Sequence, residues 1–280
     1  MDYKWYKEGQ SLLDEIKDTN LPEEFISVWY IGQMGLVIKH RECILTIDPV
    51  LSDLTNSDGT SRRNYAPPFS GRNFRNVNYA ICSHNHKDHL NIDTLIDLYH
   101  ANPDIKYIVP YPEISILAAA GIPAAAIIGA KEYQPLELFR NIILYPIASA
   151  HEEYITDSNG YQKNLGFIFN INGKKLYHSG DTVLTQQLMK DVRAYAPIDI
   201  ACIPINGIDE ERRQRGIIGN MDCRNAAYFS NQIQAELTIP LHYDMVQKNG
   251  ENPLIFASYM QEMYPGAKYH ILQLGERMLI

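Results

Sequence analysis

Apolar and polar positions alternate along this chain in a pattern that predicts strands and helices in turn. Residues 2–18 carry Trp5, Leu12, Leu13 and Ile16 at helical spacing, which predicts an amphipathic helix. Strands are expected at 25–31, 36–40 and 43–47, the first two joined by the turn-forming run Gly32-Gln33-Met34-Gly35. Residues 51–75 are rich in Ser, Asn, Gly, Pro and Arg and lack periodicity, so they read as a long loop of the kind that lines or covers a site. An apolar strand at 77–83 follows, then a helix at 92–99, a strand at 105–109 and a helix at 114–120 that Gly121-Ile122-Pro123 ends.

The second half repeats the alternation. A strand is expected at 141–149, and strands at 165–171 and 174–178 form a hairpin through Asn172-Gly173. A helix at 184–195, a strand at 198–203, a basic glycine-containing loop at 206–220, a helix at 224–233 and a strand at 235–241 come next. A helix at 253–263 and a strand at 269–272 close the pattern. The class is α/β. No stretch has the composition of a linker, so a single domain over residues 1–280 is expected.

Bulk composition narrows the function classes. Hydrophobic content of 45% and charged content of 21% are those of a soluble globular chain long enough to bury a sizeable core. A net charge of −8 argues against a nucleic-acid surface, which needs a basic face. The four cysteines lie far apart, and Cys43, Cys82 and Cys202 sit in apolar runs, as small core residues do. That usage suits a reducing cytoplasm. The polar start shows no signal-peptide core, and no apolar run is long enough to span a bilayer.

The chemistry concentrates in Ser83-His84-Asn85-His86-Lys87-Asp88-His89, which sets three imidazoles and a carboxylate within six residues at a strand end. Imidazole and carboxylate are the ligands of a catalytic divalent cation, and alternate residues of a short loop can serve two ions. Three further candidates share the same position after a predicted strand: His151, Asp181 and His242. Each has a plainer reading. Lone histidines at strand ends are commonly hydrogen-bonded structural groups, and Asp181 could cap the helix that follows. Together with the cluster they read as ligands. His178 reads as a support or core residue, and His40, His100 and His270 fall outside the pattern.

With His84-x-His86-x-Asp88-His89, an isolated His151, Ser179-Gly180-Asp181-Thr182 and a late His242, the chain resembles the metallo-β-lactamase superfamily of metal-dependent hydrolases over about residues 25–245. The resemblance implies a four-layer αββα sandwich. It implies His84, His86 and His151 on one metal, Asp88, His89 and His242 on a second, and Asp181 bridging. Two divalent ions, zinc or manganese with iron as an alternative, would acidify a water, with Asp88 orienting it and accepting its proton.

Within the superfamily, Ile31-Gly32-Gln33-Met34-Gly35, Leu176-Tyr177-His178-Ser179-Gly180-Asp181, Ile239-Pro240-Leu241-His242-Tyr243-Asp244 and the glycine loop 215–221 resemble the L-ascorbate-6-phosphate lactonase-like group. This implies a hydrolase that opens a small phosphorylated sugar lactone. A phosphodiesterase of the same fold is the alternative, and a non-catalytic metal-binding module is a third reading that the full ligand set disfavours. An anionic substrate needs basic contacts. Arg212, Arg213 and Arg215 in one loop, and Arg62, Arg63, Arg72 and Arg75 in another, are candidates, set against the bland reading of solvated loop charge. Asn206 and Asn220 are candidates for hydrogen bonds to a sugar. No nucleic acid or membrane partner is expected, and analogy with the lactonases admits a homo-oligomer.

Overall fold

The computed structural model describes residues 3–280. Contacts divide the chain into two compact units. One comprises the chain up to Ala130 together with Leu272–Ile280, and the other is Lys131–Ile271.

In the first unit, β1 (Ser27–Gly32), β2 (Gly35–His40) and β3 (Cys43–Ile47) form an antiparallel meander. Then β4 (Tyr79–Ile81), β5 (Lys106–Pro110) and β6 (Ile127–Ala130) extend the sheet in parallel from β3. The last strand in the chain, β14 (Arg277–Leu279), pairs antiparallel with β1 and completes seven strands in the order β14-β1-β2-β3-β4-β5-β6. Helices α1 (Gly9–Asp18), α2 (Ile92–Ala101) and α3 (Ile114–Ala119) belong to this unit. Leu12, Leu13 and Ile16 of α1 pack with Trp29, Val37 and Ile44, and Leu95 and Leu98 of α2 with Tyr107 and Val109, in one buried cluster. Fully buried β1, β2 and β3 read as continuous apolar runs rather than alternations, as strands covered on both faces do.

The second unit repeats the plan. Its sheet holds β7 (Leu136–Phe139), β8 (Ile142–Ala148), β9 (Leu165–Ile171), β10 (Lys174–His178), β11 (Ile198–Pro204), β12 (Ala235–Leu241) and β13 (Lys268–Tyr269), in the order β13-β12-β11-β10-β9-β8-β7. Strands β7 to β10 are antiparallel neighbours, and β10 to β13 run parallel. Helices α4 (Gln186–Arg193), α5 (Glu210–Gln214), α6 (Cys223–Gln232) and α7 (Pro253–Met263) belong here. Leu188, Val192, Phe229 and Phe256 bury one side of these helices with Ile198, Ala201 and Ile203 of β11.

The expected elements are present, with differences at their ends. The first helix starts at Gly9. Its expected start at residue 2 lies outside the described residues. Residues 5–6 instead spend their donors elsewhere, Trp5 Nε1 on the Ala66 carbonyl and the Tyr6 N–H on the Leu274 carbonyl. Strands β6, β7 and β14 and helix α5 are short elements that the sequence pattern did not announce. The four cysteines are buried free thiols. No helix among the described residues is long and apolar enough to cross a membrane.

Candidate metal centre

Strand direction places the candidate ligands. In the first unit β3, β4 and β5 are parallel, so their C-terminal ends share one edge of the sheet. Asp48 follows β3, and Ser83 to His89 follow β4. The register Ile47↔Ile81 and the bond from Asp48 N–H to the Ile81 carbonyl (2.8 Å) set Asp48 beside the start of the histidine loop. Its fully buried carboxylate accepts from the Ser83 N–H (2.7 Å) on Oδ1 and from the Ser83 hydroxyl (2.7 Å) on Oδ2. His89 Nδ1 lies 2.8 Å from the same Oδ2. An ionised carboxylate only accepts, so Nδ1 of His89 carries the proton and Nε2 becomes the nitrogen suited to a metal. Within the loop His84 Nε2 lies 2.9 Å from His86 Nδ1, and the rings of His84 and His89 are 4.2 Å apart. Asp88 Oδ2 accepts from Gln33 Nε2 at 2.8 Å. The first unit thus gathers His84, His86, Asp88 and His89 in one turn.

The second unit gathers the other three. Strand β8 runs antiparallel to β9, and β9 antiparallel to β10, so β8 points the same way as β10, β11 and β12. His151, Asp181, Asn206 and His242 all lie just past the C-terminal ends of these four strands, where α/β sheets bind ligands. Asp181 Oδ2 is 3.2 Å from His242 Nε2 and 3.8 Å from His151 Nε2, all three residues being buried. Two contacts shape the approach to Asp181. His178 Nδ1 accepts from the Gly180 N–H (3.2 Å), and Gly166 of β9 leaves room for the turn, since a Cβ there would lie 2.8 Å from the Ser179 carbonyl oxygen. His178 is therefore a buried support of that turn.

Behind His151 lies an amide relay. His151 Nδ1 donates to Asn220 Oδ1 (3.1 Å), Asn220 Nδ2 donates to Asn206 Oδ1 (3.1 Å), and the Asn206 carbonyl accepts from Arg212 (2.7 Å). Arg212 is itself buried and paired with Asp209 at 2.7 Å. Asn206, Asn220 and Arg212, singled out for substrate contact, thus fasten the loop behind a candidate ligand. Arg213 pairs with Glu152 (3.0 Å), and the exposed Arg215 reaches the Lys248 carbonyl (3.4 Å). In the first unit Arg63 is buried and donates to the carbonyls of Val50, Ser52 and Tyr65, while Arg72 pairs with Asp97. Most of these arginines thus hold loops together.

Sequence reasoning passed over Asp48 and gave Gln33 only as part of a motif. A carboxylate ending the buried run Cys43–Ile47 was the available signal for the first, because an acid there needs buried donors.

The model of the beta-lactamase superfamily domain matches residues 44–243, and the chain belongs to that superfamily. A UPF0173 metal-dependent hydrolase of Alkaliphilus metalliredigens is 27% identical over 258 residues, covering 90% of this chain and 98% of its own. Among solved structures, the metallo hydrolase Igni18 of Ignicoccus hospitalis is similar with a TM-score of 0.68 at 18% identity, over 91% of this chain and 98% of that one. An isothiocyanate hydrolase from Delia radicum gut bacteria is similar with a TM-score of 0.70 at 17% identity, over 90% and 98%. The fold is accordingly the one the motif implied, two mixed sheets with flanking helices.

Proposed function

We propose that the chain is a metal-dependent hydrolase that opens a small phosphorylated sugar lactone, such as L-ascorbate 6-phosphate. Following the superfamily motif, His84, His86 and His151 are assigned to one divalent ion, Asp88, His89 and His242 to a second, and Asp181 to both. The observation that carries this reading is the preset of two imidazoles. His89 gives Nδ1 to Asp48 and His151 gives Nδ1 to Asn220, the arrangement that turns Nε2 of a histidine toward a metal. The donor set of nitrogen and carboxylate oxygen suits zinc, manganese or iron.

When bound, such ions supply Lewis acidity and bring the pKa of a water near neutrality. Asp88 orients the attacking water and accepts its proton. The water oxygen bonds to the lactone carbonyl carbon, the ring C–O bond breaks, and the departing alkoxide takes the proton that Asp88 accepted from the water. Arg213 and Arg215, the exposed arginines of the 206–220 loop, are the groups available to an anionic substrate.

The test is turnover of L-ascorbate 6-phosphate by zinc- or manganese-loaded protein, beside Asp88→Asn. Ring opening that the variant abolishes supports the lactonase reading. Turnover of bis(p-nitrophenyl) phosphate without ring opening replaces it with the phosphodiesterase. Failure on both with metal bound sinks both substrate classes.

A further inference from the structure

The turn at residues 32–35 contributes no candidate ligand, yet it is built at a cost. Gln33 has φ of +58°, a left-handed conformation that disfavours long side chains, and its side chain is 1% exposed. Gly32, at φ of +95°, is pressed by Tyr65, whose hydroxyl oxygen would lie 2.6 Å from a Cβ placed there. Gly35 is closed in from the other side, where a Cβ would lie 2.9 Å from the Gly32 carbonyl oxygen and 3.2 Å from that of Asp48. The Tyr30 hydroxyl donates to the Gln33 carbonyl at 3.2 Å. Tyr65 is in turn held between the rings of Tyr3 and Trp5, each 5.5 Å away. The backbone of Gln33 is therefore braced from three directions.

The brace aims the side chain at a carboxylate. Gln33 Nε2 donates to Asp88 Oδ2 at 2.8 Å. An amide N–H cannot accept, so it selects a carboxylate oxygen that carries no proton and fixes the rotation of the carboxyl group. We propose that Gln33 is the positioning residue of Asp88: by holding Oδ2, which also lies 3.8 Å from His89 Nε2, it fixes the orientation in which the carboxylate meets the metal. The proposal rests on the metal assignment above and deepens it, since it makes the ion that Asp88 binds depend on a residue outside the ligand motif.

The test is titration of the metal-free protein with cobalt(II), followed by calorimetry and by the visible ligand-field bands. The variants are Gln33→Asn and Gln33→Met. Asparagine suits the left-handed backbone better than glutamine but is one methylene short of Asp88, so it separates positioning from turn stability. Methionine keeps the reach and lacks the donor. The wild type is expected to take up two equivalents. Both variants should bind one equivalent normally and the other roughly 10–100-fold more weakly, with altered bands. Gln33→Asn should keep the thermal midpoint of the metal-free protein. Wild-type affinities and bands in Gln33→Asn and Gln33→Met would overturn the proposal alone. Equal weakening of both equivalents with a lowered midpoint would also overturn it, in favour of a purely structural turn. A wild-type protein that takes up no cobalt would overturn the metal assignment and this proposal with it.

Discussion

The Nε2 of His242 stands 3.2 Å from Oδ2 of Asp181, joining the ends of two strands that are not neighbours in the sheet. Strand β11 separates them, and the parallel register on both sides of it lets the two residues meet. His151 reaches the same oxygen from β8. One carboxylate thus serves two imidazoles. Asp181→Asn keeps the shape and removes the charge. Metal retained after dialysis against a weak chelator, read by elemental analysis, should fall by at least about tenfold. Full retention would remove Asp181 from the ligand set.

Asp48 carries a larger structural share. Its carboxylate accepts from Ser83 twice and from His89, all buried. Asp48→Ala leaves those donors without an acceptor and should cost about 3 kcal/mol in urea unfolding of the metal-free protein. It should also free His89 to take either tautomer, weakening metal uptake.

A contrast of variants isolates the amide behind His151. Asn220→Ala removes the acceptor for Nδ1 and should lower metal affinity by roughly tenfold. Asn220→Asp keeps an acceptor at the same reach and should bind metal more tightly than the alanine variant. Equal affinities for the two variants, measured by calorimetry, would show that the bond does not set the histidine.

These contacts separate what the sequence pattern announces from what it leaves out. The histidine loop and the three later ligand candidates stand out in the sequence because histidine, strand ends and order coincide in a chain with nine histidines. Asn206, Asn220 and Arg212 drew attention for their polarity, but polarity alone does not distinguish a group facing a substrate from one facing another side chain. Their mutual bonds span 14 residues or fewer, yet they depend on how the 206–220 loop folds back on itself. Helix α5 within it was missed although Asp209 caps it, because five residues carry too little periodicity. Strand β14 was missed for another reason: its partner β1 lies some 250 residues away, and no local pattern encodes that pairing.

Gly166 makes a steric prediction. An added methyl would meet the Ser179 carbonyl oxygen at 2.8 Å and that of His178 at 3.1 Å, both backbone atoms of the turn leading to Asp181. Gly166→Ala should destabilise the fold by about 1–3 kcal/mol, read from denaturant midpoints. A neutral result would mean that this turn yields readily.

The buried thiols predict an alkaline limit. Burial pushes Cys43 and Cys223 up to about 12. In the unfolded chain a thiol ionises near pH 9, so above that value the unfolded state sheds protons that the fold retains. The stability these thiols contribute is full below pH 9 and is lost as pH rises toward 12. Denaturant midpoints between pH 7 and pH 11 should fall on the alkaline side, and Cys43→Ala should flatten part of that fall. An unchanged slope would rule the thiol out as a contributor.

The return of β14 to β1 has a consequence for how the protein is made. The second unit is one unbroken stretch, Lys131–Ile271, whereas the first needs residues from both ends of the chain. A ribosome therefore releases every residue of the later unit before it has supplied the edge strand of the earlier one. For that interval β1 waits with an open hydrogen-bonding edge, the kind of exposed template on which nascent chains stick to one another.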